Sequence, residues 1–442
     1  MLPLSFIHLK LHFITMKSND ILQKLIRFFS DYNLLSEFSR TNFYFDEPQL
    51  RSFFSQIDEK SHYFEKNNCI ITQPIYGSGA SFFDREIGGS KCLGEAVERL
   101  CQQTFTPKKI MYSSYNNLKQ KAIDPSIHTL SSDVRNERIG WVTGSNIISK
   151  EKILIPAQYA HYTFNEFHNE QPITSLISTG GALGQTPEEA LLYGLYELIE
   201  RDAFTTTYLI KAPVKKVLVS SIQNNQISRI HDTLAKYALE WHLFDITHDL
   251  SVPVYLSLLI DRSGVGPAVT SGASSRLNHF EAIINSVTEA TMTRPWIRVS
   301  LTNKKSLLSI INNDRKKIRE RIDRGLYWFL PSKIALLHFW LKREEEVFHP
   351  FRTLSLSPDA ELRLLISMLK NIHKSLYYCD ITHDEVRKYG MYVYKIINPY
   401  LHGLYLDEAD TRAVVDPVRL QAVAHHFGIK NYQINPIPHP FL

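Results

Sequence analysis

The chain has 442 residues, 44% of them hydrophobic and 21% charged, a balance that excludes a disordered polyelectrolyte and leaves enough length to bury substantial cores. Its 50 Lys and Arg against 45 Asp and Glu leave a formal charge of +5, too small a surplus to mark a nucleic-acid binder. The four cysteines, Cys69, Cys92, Cys101 and Cys379, include no CxxC pair, so neither a disulfide framework nor structural zinc is expected and a reducing, cytoplasmic setting is. Residues 1–15, MLPLSFIHLKLHFIT, are interrupted by His8, Lys10 and His12; they are shorter than the ~20 apolar residues of a membrane span and are read as a dispensable leader. Helical spacing of Ile21, Leu25, Phe28 and Phe29 then marks a small helical N-terminal module, so the expected domains are 1–65 and 66–442. Strand-like runs follow at 152–156, 172–177, 217–219, 252–260 and 392–397. Helical patterns lie near 92–104, 186–210, 226–239, 279–296, 305–324, 332–346, 359–374 and 418–427. The irregular alternation, without GxGxxG, predicts an α+β fold with a mixed sheet rather than a dinucleotide-binding one.

One pattern occurs twice. GEAVERL (94–100) and YELIERD (196–202) both place Glu-x-x-Glu-Arg on a predicted helix. A single copy is commonplace on a solvated helix face, but the second copy follows the glycine-rich run Ser178-Thr-Gly-Gly-Ala-Leu-Gly-Gln185, read as a turn, then Thr186 as N-cap and Pro187 at the first helical position. Free amides at such a helix start attract anions. GALGQT lacks the lysine of a Walker A loop, so a phosphate bound there needs its positive charge from metal ions and arginines. At ~100° per residue, Glu189, Glu197 and Glu200 share an arc of roughly 80°, opposite Leu191, Leu192, Leu195, Leu198 and Ile199. If Glu95 and Glu98 face Glu197 and Glu200, four carboxylates converge, which calls for a hard cation such as Mg²⁺, with Arg99 and Arg201 turned to phosphate oxygens. Thr186-x-x-Glu189 is equally a capping box, so Glu189 has a structural reading beside the functional one. A third glycine turn and helix, Gly272 to Arg294, repeats the plan. The chain ends in Asn435-Pro-Ile-Pro-His-Pro-Phe-Leu442, a stiff extended tail that is either disordered or docked in a groove.

Together, GEAVER, STGGALGQTPEEALLYGLYELIERDAF, GASSRLNHFEAIINSVTEATMTR and the terminal PIPHP resemble the YcaO family, over roughly residues 70–442. The resemblance implies a mixed-sheet fold whose packed helices carry the paired ExxE motifs. It implies Mg²⁺ bound by Glu95, Glu98, Glu197 and Glu200, and ATP lined by these residues with Ser178, Gln185, Glu189, Arg201, Glu289 and Arg294. Two positions depart from the family pattern: Lys91 stands where Ser is usual, and Met292 where Gln is usual. The implied activity is cyclodehydration of a ribosomally made peptide, in which a Cys, Ser or Thr side chain attacks the preceding amide, ATP phosphorylates the amide oxygen, and phosphate leaves from an azoline. A PxPxP tail accompanies azoline formation, and Pro436, Pro438 and Pro440 match it; His439 and the Leu442 carboxylate are then candidate bases. Thioamide or amidine formation, or a noncatalytic nucleotide-binding scaffold, are the alternatives. A separate leader-peptide-binding partner and a flavin dehydrogenase are the implied partners, with a homodimer left open. The whole charge surplus falls between Lys304 and Arg324, read as a solvated helix face or a docking surface for an acidic partner.

Overall fold

The computed structural model describes residues 20–71, 73–106, 109–128, 133–161, 163–164, 170–173, 178–350, 356–369, 375–409 and 416–442, and of 303–313 the backbone alone. The stretch 1–15 lies outside the described residues, as do most of the strand expected at 172–177 and the side chains of Lys304 and Lys305.

Helix α1 (Asp20–Asp31) buries Leu22, Leu25, Phe28 and Phe29. Strands β1 (Leu35–Arg40), β2 (Arg51–Ile57) and β3 (Tyr76–Ser81) form an antiparallel sheet, so strands from the N-terminal segment pair with the chain beyond residue 66. Helix α2 (Arg85–Gln103) is capped by Asp84 and lies against β3. The approach requires glycine: a Cβ on Gly77 would sit 2.2 Å from the Cys92 carbonyl oxygen, and one on Gly79 would sit 2.3 Å from the Cys92 nitrogen.

Next come β4 (Met111–Ser113), β5 (Ile139–Asn146), β6 (Lys152–Pro156), β7 (Gly181–Gly184) and α3 (Pro187–Leu209). A second sheet and its helix follow with β8 (Lys215–Val217), α4 (Asn225–Lys236), β9 (Glu240–Asp245), β10 (Val254–Ile260), β11 (Val269–Ser275) and α5 (His279–Asn313). The last elements are α6 (Arg321–Tyr327), β12 (Glu345–Glu346), α7 (Pro358–Met368), β13 (Tyr377–Asp380), β14 (Tyr392–Ile397) and α8 (Pro417–His426). One mixed sheet runs β11-β10-β9-β8-β12, with β12 parallel to β8; the other runs β4-β5-β13-β14-β7, with β6 on β5. β10 is buried along its whole length, as a largely apolar strand covered on both faces is, and its one small polar residue, Ser257, is satisfied by Trp241 Nε1 and Ser286 Oγ. α3 packs against both sheets, and nearly every side chain from Ala190 onward is buried.

The α+β reading stands, while several element boundaries differ from expectation. Gly181–Gly184, read as a turn, is strand β7, hydrogen-bonded to β14. Val269–Ser275, likewise read partly as a glycine turn, is β11. In both places glycine marks a close approach rather than a reversal: a Cβ on Gly184 would lie 2.3 Å from the Ala190 nitrogen, and one on Gly272 would lie 2.3 Å from the Ser286 carbonyl oxygen. α5 runs through Pro295 and on to Asn313 as one helix, where separate helices were expected over 279–296 and 305–324. Arg294 and Arg298 on either side of the proline are both tied to Glu47, and these bonds offset the lost backbone hydrogen bond. The helix expected over 332–346 is instead a 3₁₀ turn (Pro331–Leu337), one short helical stretch (His338–Leu341) and β12.

α3 is anchored at Asp202, which is wholly buried. Arg419 of α8 donates to its carboxylate at 2.6 Å, His248 Nε2 lies 3.0 Å away, and Arg419 also holds Asp249 at 2.7 Å. Burial opposes ionisation of Asp202, but Arg419 and His248 outweigh it and hold the carboxyl well below the usual range. Removing one partner strands a buried charge. Arg419→Met is therefore expected to lower unfolding free energy by about 3–5 kcal/mol in urea titration.

Candidate active site

The two Glu-x-x-Glu-Arg helices do meet. On α2, Glu95 accepts from the Ser78 amide at 2.7 Å, the Ser78 hydroxyl at 2.9 Å and Arg99 at 3.1 Å. Burial works against its charge, but Arg99 and the Ser78 bonds hold its carboxyl below the ordinary range. One turn on, Glu98 accepts only a neutral donor, Gln102 Nε2 at 2.9 Å. Burial first, and then the facing Glu197 carboxylate, push Glu98 up to about 8.

On α3, Glu197 accepts the Gly180 amide at 3.1 Å, so the backbone just ahead of β7 supplies its donor. Glu200 is pushed up to about 8, chiefly by burial and then by Glu289 and Glu197, with Arg201 pulling the other way. Glu289 of α5 accepts the Ala273 amide at 3.0 Å and is also raised by burial, against the pull of Arg201 and with Glu197 adding to the rise. Five carboxylates on three helices thus press on one another. Arg201 is the cation among them, with Nη1 3.2 Å from Glu200 and Nη2 3.6 Å from Glu197.

The terminal tail closes this site. Every proline carbonyl in it is held: Pro436 by Arg315, Pro438 by Tyr208 Oη and Trp328 Nε1, both at 3.1 Å, and Pro440 by Ser271 Oγ at 2.9 Å. The docked reading of the tail is the correct one. Phe441, only 1% exposed, is seated with its ring centroid 4.4 Å from the Arg201 guanidinium carbon, within cation–π range. His439 is buried between Tyr405, Phe204 and Tyr208 and bonds the Tyr405 carbonyl at 2.7 Å. Burial, then Arg324, push its imidazole well below the usual value, so it is a neutral anchor of the tail. Leu442 is half-buried at the end of the same strand.

The remaining candidates divide. Ser178 is buried just before Gly180 and β7. Thr186 caps α3, its hydroxyl accepting the Glu189 amide at 3.1 Å, while the Glu189 carboxylate accepts the Gln185 amide at 2.7 Å and Tyr193 Oη at 3.1 Å; the Gln185 side chain in turn accepts from Lys24 at 3.3 Å. Arg294 is not brought to the carboxylates: its guanidinium bonds Glu47, Asp261 and the Pro267 carbonyl. Lys91 projects from α2 one turn before Glu95 and donates to Asn285 Oδ1 of α5 at 3.0 Å. It is accessible to solvent but walled in: burial and then Arg276 push it down to about 8, with Glu289 and Glu281 opposing. Lys395 was not anticipated. It is buried on β14 and pushed down to about 8 by burial, against the pull of Glu197 and Glu98. The one signal for it was a lysine at an inward position of Tyr392-Val-Tyr-Lys-Ile-Ile.

The residues fit the proposed cofactor. The carboxylates raised by crowding lack counter-charge, Arg201 Nη1 is buried without a hydrogen bond, and the donor set is all oxygen, as Mg²⁺ requires. Among the described residues no three acidic, His or Cys groups form a ready-made metal cage. That suits an ion that takes one or two carboxylates and completes its shell with nucleotide phosphates. No helix of the described residues is long and apolar enough to cross a membrane.

A family model described as "YcaO cyclodehydratase, ATP-ad Mg2+-binding" matches residues 89–402. The chain belongs to the YcaO family. Two YcaO relatives are an uncharacterized protein of Methanothermobacter thermautotrophicus, 25% identical over 63% of this chain and 69% of its own length, and an "uncharacterized protein in tfuA 3'region" of Rhizobium leguminosarum bv. trifolii, 24% identical over 48% and 53%. A heterocyclase solved in complex with substrate and cofactor shares the fold at TM-score 0.70 and 16% identity, over 94% of this chain; this YcaO chain spans 57% of that heterocyclase. All four cysteines are free thiols.

The crowding has a measurable sign. Glu98 and Glu200 hold protons up to about 8 in the fold against 4.5 for the free side chain, so the metal-free protein should lose stability as pH rises through that interval. Glu98→Gln is expected to lessen that loss by about 1–3 kcal/mol. Mg²⁺ should raise the melting temperature of the wild type more near the top of the interval than near its foot, measured by calorimetry.

Proposed function

We propose that this chain is an ATP-dependent cyclodehydratase that activates backbone amides of a ribosomally made peptide, so that Cys, Ser or Thr side chains close to azolines. The observation that carries the reading is the docking of Phe441 on Arg201: the proline tail ends on the arginine that bridges the α3 carboxylates Glu197 and Glu200. Glu95, Glu98, Glu197 and Glu200 would hold Mg²⁺, with Glu289 beside them, and ATP bound with it supplies the phosphoryl group that turns an amide oxygen into a leaving group. Glu95 would meet a cation already ionised, and Glu98 and Glu200 would release protons on holding one. Arg201, fixed by two carboxylates and a ring, is preorganised to stabilise charge on a phosphoryl group, because it need not be ordered during reaction. The tail excludes water from that side, which protects an activated amide from hydrolysis. His439, neutral and bonded to a carbonyl, serves the tail's position rather than proton transfer, which leaves the Leu442 carboxylate as the base candidate. Arg294 acts through the ion pairs that carry α5 past Pro295.

A separate leader-binding protein is the proposed partner. Thioamide formation is the second reading, favoured by one observation: the Rhizobium relative is described by its place beside tfuA.

The test is phosphate release and peptide mass together, with ATP, Mg²⁺, precursor peptide and partner present. Peptide-stimulated release with loss of one water per event supports the cyclodehydratase; exchange of oxygen for sulfur supports the second reading. Glu200→Gln is expected to cut turnover by at least roughly 100-fold while the protein stays folded. Phe441→Ala should cut cyclisation by about 10- to 100-fold and ATP affinity by far less.

A further inference from the structure

The carboxylates occupy one side of α2. A separate cavity of about 370 Å³ opens beyond the C-terminal end of that helix, between residues 104–106, 109 and 110 on one side and the paired strands β5 and β13 on the other. Its lining mixes polar and apolar groups and carries no net formal charge. Lys109 and Asp380 contribute opposite formal charges, threonines 104, 106, 143 and 382 contribute hydroxyls, and Phe105, Ile110, Val142 and Ile381 supply apolar wall. Both of its histidines are neutral: burial pushes His161 down to about 3 and His383 down to about 4. His383 is fully used, between Tyr63 Oη at 2.8 Å and Thr104 Oγ1 at 3.0 Å. His161 is not. Its ring bonds the backbone of Cys101 and Gln102, yet among the described residues Nδ1 is buried with no hydrogen-bond partner. A buried acceptor of this kind is costly unless something donates to it.

Two short links join the cavity to the carboxylates. Gln102, whose backbone meets His161, donates through its amide to Glu98 at 2.9 Å. Cys379 lies directly opposite Lys395 in the β13–β14 pair, so both side chains stand on one face of the sheet, and Lys395 lies in the field of Glu98 and Glu197. A phosphate would find no arginine pair here, and a hydrocarbon would leave the His161 imidazole unpaired. A neutral hydrogen-bonding segment matches the walls.

We propose that this cavity is the acceptor subsite of the enzyme, where an uncharged stretch of substrate peptide bearing a hydroxyl or thiol lies beside the carboxylates and donates a hydrogen bond to His161 Nδ1. The inference rests on the peptide-modifying reading above.

The test titrates the full-length protein with N-acetylglycyl-serinamide and N-acetylglycyl-cysteinamide as neutral probes and inorganic phosphate as the anionic control. Imidazole signals of histidine-labelled protein are read by NMR. Both peptide probes should move the His161 signal, and phosphate should not. Thr143→Trp places a large side chain at an exposed lining position of β5; it should weaken the peptide response at least about tenfold while ATP affinity stays within about twofold. Ile110→Trp, on the other wall, serves the same purpose if the first variant melts early. An equal response to phosphate, or an unchanged response in a folded Trp variant, overturns the subsite. Normal probe binding at His161 with no dehydration of any precursor leaves the subsite standing and overturns the reading beneath it.

Discussion

The structure turns on Arg201. Two carboxylates of its own helix hold the guanidinium from one side and the Phe441 ring covers it from the other. Without that cation, Glu197, Glu200 and Glu289 would face one another in a buried space with backbone amides and more distant cations such as Lys395 to offset their charge, a condition proteins avoid by protonation or by binding metal. With it, the site is still short of positive charge, as the raised Glu98 and Glu200 carboxyls show. The residual deficit is what makes the cluster receptive to a divalent cation instead of collapsing into closed ion pairs.

The rest of the fold holds that tension in place. Asp202, next to Arg201, is locked by Arg419 and His248, so the helix that carries the acidic face cannot rotate to relieve it. Glycines at 77, 79, 184 and 272 let α2, α3 and α5 press against their strands. The tail adds the last wall, tied by carbonyl bonds from Tyr208, Trp328, Ser271 and Arg324. Arg315, Arg319 and Arg324, in the stretch that carries the charge surplus, are spent on Pro436, Asp407 and Glu408. Part of that basic stretch is thus a clamp on the tail and its neighbours.

What the sequence made legible was local and periodic. The acidic arc of 187–209 could be drawn from helical spacing because the opposite face is leucine-rich, and the N-cap and proline at 186–187 sit where capping chemistry puts them. Strand 392–397 and strand 152–156 were visible as apolar runs. What stayed hidden depended on long-range pairing. Gly181–Gly184 and Val269–Ser275 carry turn-like composition and are strands only because β14 and β10 lie beside them. Lys395 belongs to the site through the neighbours that β14 acquires in the sheet, and Arg294 is diverted from it by Glu47, nearly 250 residues away in sequence. The inward lysine of an apolar run is the one local sign of the first, and the second has none.

In the proposed cyclodehydration the amide oxygen of the peptide leaves as phosphate. That step is tested with a precursor peptide whose modified amide carries an isotopically labelled oxygen, turned over with ATP and Mg²⁺. The label is expected in released inorganic phosphate, one atom for each ring formed. Label that stays in the peptide, or that appears in water while phosphate remains unlabelled, would contradict it.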